Sequence, residues 1–114
     1  MNRISTSLEQ SRKLLELGLD PSTADFQYIN GDPENLHPNS DKHDEDDIVA
    51  WSLGALKKQI PVGIKVQDKT ELFTCHNRID GTWVYSFGDY IQFTGSDIDA
   101  AYKTVAWLLK KDET

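Results

Sequence analysis

ELFTCHNRIDGTWVYSFGDYIQFTGSDIDAAYKTVAWLLKK, residues 71–111, is the stretch that decides the fold. Residues 71–77 and 82–87 read as two strands joined around Asp80-Gly81, a turn pair that favours reversal of the chain. On the first strand Leu72, Thr74 and His76 share one face, and Phe73, Cys75 and Asn77 the other. On the second, Trp83, Tyr85 and Phe87 share a face. Residues 90–94 read as a short further strand. Ser96 and Asp99 then form a Ser-x-x-Asp box that opens a helix over 96–111. Ile98, Ala101, Tyr102, Val105, Leu108 and Leu109 recur on it with helical spacing, which marks the buried stripe.

Upstream, Val62, Ile64 and Val66 alternate with Gly63 and Lys65, the period of a half-buried strand, and 67–70 reads as its hairpin turn. A helix is expected from Ser52 to about Gln59, with Ser52 as N-cap and Pro61 as its stop. Trp51 and Leu56 have the spacing of a hydrophobic staple. A first helix spans 8–17. Ser7 and Gln10 form a capping box, and Gly18 with Leu19 supplies the stop. Asp20-Pro21 opens one further helical turn. These readings give an α+β fold, a two-layer sandwich in the order helix, helix, three strands, helix. Its antiparallel sheet of three to four strands is covered by the C-terminal helix. A single domain is expected over 1–114, with a helical segment at 1–29, an acidic exposed loop at 30–47 and the core at 48–111.

Charge is unevenly placed. Residues 1–50 carry 11 acidic and 4 basic side chains, whereas residues 51–114 carry 8 of each. The neutral C-terminal part lacks the positive footprint that supplies nucleic-acid affinity, so no nucleic-acid partner is expected. Cys75 is the one cysteine, which excludes an internal disulfide and favours a reducing compartment. No run of about 18 apolar residues marks a membrane span, and the start lacks a signal-peptide core. A cytoplasmic protein is expected.

Candidate chemistry is sparse. His37, Asp41, His43, Asp44, Glu45, Asp46 and Asp47 cluster in sequence, but the calcium-loop pattern is absent, and so is helical His spacing for zinc. They read as a mobile, solvated acidic loop that binds no metal specifically. Cys75 and His76 are neighbours on a strand and point to opposite faces, so they cannot form a dyad; Cys75 reads as a core residue. No catalytic residue, cofactor or metal site is assigned, and the chain reads as non-enzymatic. Trp83, Tyr85, Phe87, Tyr90 and Phe93 read mainly as the sheet face under the helix. Trp107 sits off the helix stripe, beside Ala100, Thr104 and Lys111, where a contact with the first helix or the loop is the expectation. An exposed Trp there would mark a partner interface. Trp107, Trp83, Tyr85 and Tyr90 are therefore the candidate partner-binding residues.

Two resemblances rest on these residues. The blocks 4–11, 15–25, 50–53 with 55–56, and 99–101 with 107–109 resemble a group of small proteins of unassigned function from gut-bacterial prophages and mobile elements. That resemblance implies an unassigned function, with no catalytic residues to carry over; the expectation is a non-enzymatic accessory or binding protein of a mobile element that acts through an unidentified protein partner. The segment 83–109 is similar to the strand-loop-helix of HicB-type antitoxins, through Phe87, Asp89, Thr94, Gly95 and Ala101, although two helices precede the strands here. It implies neutralisation of a small basic toxin, which an acidic N-terminal half would suit. The helix-strand-strand-strand-helix order is also similar to double-stranded RNA-binding domains. Asp97 and Asp99 stand where those have a basic helix start.

Overall fold

The computed structural model describes residues 4–40 and 45–112. Its first element is helix α1, Leu8–Glu16. The Ser7 hydroxyl accepts from the Gln10 N–H at 3.1 Å, and the Gln10 side chain accepts from the Ser7 N–H at 3.0 Å. The helix stops in a Schellman motif. The Leu19 N–H reaches the Leu14 carbonyl and the Gly18 N–H the Leu15 carbonyl, both at 3.0 Å. Gly18 takes φ +96°, a conformation that a side chain would strain. One 3-10 turn, Pro21–Thr23, follows with Asp20 as its cap.

The next part departs from the sequence reading. Three short strands, β1 (Phe26–Tyr28), β2 (Leu36–Pro38) and β3 (Ile48–Ala50), form an antiparallel sheet in the order β2-β1-β3. The segment expected as a loop over 30–47 thus contains a strand in register, with Tyr28 opposite Leu36 and Phe26 opposite Pro38. Pro38 is tolerated because β2 is an edge strand. Ile48–Ala50, expected to begin the C-terminal core, belongs to this small sheet instead. Residues 41–44, which hold Asp41, His43 and Asp44, lie outside the described residues.

Helix α2, Leu53–Lys57, starts where Ser52 caps the Ala55 N–H, and is about two residues shorter than expected. Trp51 and Leu56 flank its start as the staple predicts, each fully buried. The second sheet holds β4 (Gly63–Val66), β5 (Lys69–Asn77), β6 (Trp83–Phe87) and β7 (Ile91–Gly95), antiparallel throughout and in chain order. Gln67 and Asp68 both take positive φ between β4 and β5, the geometry of a two-residue hairpin turn. Helix α3, Asp97–Asp112, is the last element among the described residues.

The architecture is α+β. Helix α3 packs on β6 and β7 with one flank and meets α1 and α2 with another. Two stripes are therefore buried rather than one. Ile98, Ala101 and Val105 join the core shared with Leu14, Trp51, Leu56 and Tyr85. Ala100 and Thr104 are also fully buried, and their small side chains permit close approach. A polar knot ties the N-terminus to this core. The Trp51 N–H donates to Thr6 Oγ1 at 3.1 Å, and the Thr6 N–H donates to the Trp51 carbonyl at 2.8 Å. The Tyr28 hydroxyl donates to the Thr6 carbonyl at 2.7 Å. Gln10 Nε2 donates to Asp99 Oδ1 at 2.8 Å, which links the first turns of α1 and α3.

Candidate functional site

The strand-to-helix packing positions the candidate aromatic residues one by one. Trp107 extends from α3 onto the sheet and meets Phe87, Phe93 and Tyr90, with ring centroids 6.0, 6.0 and 6.2 Å away. The expected contact with the first helix or the loop is not what its ring makes. The flank of α3 carrying Ala100 and Thr104 faces β6 and β7, and Trp107 continues that flank. The ring is half-buried, and the Lys111 ammonium stands 5.4 Å from its centroid. Tyr90, in the turn before β7, is 52% exposed. Trp107 and Tyr90 thus form a continuous aromatic surface at one end of β6.

Trp83 lies at the other end of β6, about 13 Å away by the rise of four strand residues. It is half-buried against Tyr85, with Lys57 of α2 5.8 Å above its ring. Tyr85 is fully buried, and its hydroxyl donates to Asp97 Oδ1 at the start of α3. Burial first, and then this hydrogen bond, push the Tyr85 hydroxyl pKa upward. Tyr85 is consequently a core residue that joins sheet to helix rather than a partner contact. The four candidates are not one patch; Trp107 with Tyr90 is.

Cys75 corrects a further expectation. It is exposed, not a core residue, because α3 lies over β6 and β7 while Cys75 stands on β5, opposite Tyr85. His76 is exposed opposite Val84 on the other face, so the two side chains stay apart as the strand geometry requires. His37 and Glu45 are exposed, as is Asp46, whereas Asp47 Oδ1 accepts from the Asn30 N–H at 2.8 Å. Among the described residues no group of three or more His, Cys, Asp or Glu is arranged to hold a metal ion. None of the described helices is long and apolar enough to cross a membrane.

One concave feature escaped the sequence reading altogether. A cleft of about 750 Å³ opens between the end of α1, the Pro21–Thr23 turn and the small sheet. Its walls come from four separate segments of chain, brought together by strands too short to announce themselves. No protein-family model, curated protein or solved structure matches this chain.

Proposed function

We propose that this chain is a non-enzymatic protein-binding module, an accessory of a prophage or mobile element, that engages its partner through the Trp107–Tyr90 surface. The observation that carries the reading is the pairing of a half-buried Trp with an exposed Tyr at one end of the sheet. Trp and Tyr are enriched among the residues that dominate binding energy, and they do so where a firm base holds the ring in place. Phe87 and Phe93 supply that base. Lys111 beside the indole adds a positive rim. The mobile-element setting rests on the sequence blocks described above.

The test is affinity capture from the native host with the wild-type protein and the Tyr90→Ala variant in parallel. A partner retained by the wild type and lost from the variant supports the reading. A partner retained equally by both would refute this surface.

A second reading is an antitoxin-like role toward a small basic toxin, favoured by the net charge of −7. A short toxin-like reading frame beside the gene, whose toxicity is relieved by co-expression of this chain, would favour it.

A further inference from the structure

The large sheet is open at the edge beside the aromatic surface. β7 is an outer strand, paired with β6 on one side alone. The hydrogen-bond ladder decides which of its main-chain groups look outward. The Gly88 N–H donates to the Leu72 carbonyl and the Arg78 N–H to the Thr82 carbonyl, so by alternation Val84 and Ser86 bond toward β5. Trp83, Tyr85 and Phe87 therefore bond toward β7, to Gly95, Phe93 and Ile91. The N–H and carbonyl groups of Gln92 and Thr94 are left pointing away from the sheet. Among the described residues one group meets them: Lys103 Nζ donates to the Thr94 carbonyl at 2.9 Å.

That ammonium stands where the N–H of a further strand would stand. Lys103 is exposed, and among the described residues no carboxylate lies within ion-pair distance of it. On α3, Lys103, Ala106 and Lys110 share one flank by helical spacing, and the Lys103 bond shows that this flank overlooks the β7 edge. Asp99 lies one turn earlier, and its Oδ1 accepts from Gln10 Nε2. The edge thus has a positive wall in a chain of net charge −7. Gly95 keeps that charge close to the strand: a Cβ there would stand 3.7 Å from Lys103 Nζ. β4, the other outer strand, is less suited. Val62 bonds inward to Phe73, so Pro61, which has no N–H, takes an outward position just ahead of it.

We propose that β7 takes up an extended segment of the partner protein by strand addition, with an acidic residue of that segment beside Lys103 and an apolar one beside Phe93. The inference rests on the Trp107–Tyr90 reading and gives its partner a conformation. Donors and acceptors that alternate along a sheet edge are matched by another strand. Partner residues opposite Gln92 and Thr94 make the hydrogen bonds. Those opposite Ile91, Phe93 and Gly95 point to the α3 face, because directly opposite residues share a face. The residue opposite Phe93 joins the ring on which Trp107 packs, 6.0 Å between centroids. The residue opposite Gly95 meets Lys103. Displaced from the Thr94 carbonyl, the ammonium exchanges a neutral acceptor for a carboxylate, the stronger of the two.

The probe is the peptide acetyl-Glu-Thr-Val-Thr-Phe amide. In antiparallel register, as throughout this sheet, it sets Glu opposite Gly95, Val opposite Phe93 and Phe opposite Ile91. It is titrated into the intact protein and followed by NMR at the main-chain amides. Saturable shifts at Gln92 and Thr94 are expected, with slower hydrogen exchange at both. N-methylation of the second Thr removes the N–H that the Gln92 carbonyl accepts, and should weaken binding at least about tenfold. Gln in place of Glu should weaken it about two- to fivefold, and Lys103→Met should erase that difference between the two peptides. Gln92→Pro removes an outward N–H and leaves the ladder to β6 intact, so it should melt near the wild type and lose the peptide. No saturable shift at Gln92 and Thr94, equal binding of the N-methylated peptide, or wild-type affinity in Gln92→Pro would each overturn the proposal. So would an undiminished preference for Glu over Gln in Lys103→Met. Self-association of the free protein, seen in sedimentation and abolished by Gln92→Pro, would give the edge to a second copy and overturn it too. The two readings fail separately. A captured partner lost from Tyr90→Ala but kept by Gln92→Pro would leave the aromatic surface and refute strand addition. A partner kept by Tyr90→Ala, with the peptide still protecting Gln92 and Thr94, would refute the surface and leave the edge.

Discussion

Replacing Thr6 by Val isolates the polar knot that holds the N-terminal segment to the core. Thr6 is fully buried, as is Ser11, and their hydroxyls lie 2.7 Å apart. The proton order follows from counting. Ser11 Oγ donates its single proton to the Ser7 carbonyl at 2.7 Å, so Thr6 Oγ1 must donate to Ser11 while accepting from the Trp51 N–H. Valine keeps the shape and removes the hydroxyl. The Trp51 N–H is left buried without a partner, which costs about 1–3 kcal/mol, and the Thr6–Ser11 bond, worth about 1 kcal/mol, is lost as well. The extra methyl returns somewhat under 1 kcal/mol of apolar burial. A net loss of about 2 kcal/mol is expected, a large share of the roughly 5–15 kcal/mol that holds a domain together. For a chain of this size that is a fall of about 8 °C in Tm. Urea unfolding and thermal melting measure it. Thr6→Ser, which keeps the hydroxyl, should lose less than Thr6→Val. If Thr6→Val matched the wild type within about 0.5 kcal/mol, the knot would be incidental.

Three other perturbations probe different links. Val105→Asp places a carboxylate where Val105 is 1% exposed in the shared core, and should abolish cooperative melting; a folded variant would refute the placement of α3. Tyr85 keeps its proton in the folded state above the usual pKa of 10.0, because burial and the Asp97 bond favour the neutral hydroxyl. The unfolded chain releases that proton, so the stability due to Tyr85 is complete below pH 10.0 and declines as pH rises beyond it. Tyr85→Phe should be less stable at neutral pH yet show a shallower alkaline decline in Tm, and an unchanged slope would refute the assignment. No binding to single- or double-stranded nucleic acid is expected near 0.15 M salt, given 12 basic against 19 acidic residues. A micromolar, steeply salt-dependent complex in a polarisation assay would overturn that.

What could be read from the sequence was what local chemistry writes down. The Ser7–Gln10 box, the Gly18 stop, the Asp80-Gly81 reversal and the Ser96 cap each involve neighbours in the chain, and each stands where expected. Strands β1, β2 and β3 were not legible, since three residues are too few to show a period of two. Their pairing, Tyr28 with Ile48 for example, also spans twenty residues. The position of Trp107 was missed for a related reason. The periodicity of a helix shows that a stripe is buried, but not which strand lies beneath each flank. The same gap hid the exposure of Cys75, which depends on where α3 ends its cover of the sheet. Of the candidate surface, the residue types Trp107 and Tyr90 were legible, but their pairing was not. The cleft was invisible, because its walls come from four segments of chain that meet only on folding.

That the acidic N-terminal half and the neutral C-terminal half share one core is tested most directly by the indole N–H signals of the unmodified protein during urea unfolding. The Trp51 indole is bonded to Thr23 Oγ1 at 2.8 Å beside the small sheet, and the Trp107 indole packs on the large one. A shared core predicts that both native signals vanish with one midpoint and one slope. Loss of the Trp51 signal at clearly lower urea, with the Trp107 signal still native, would show two separately folding halves and contradict it.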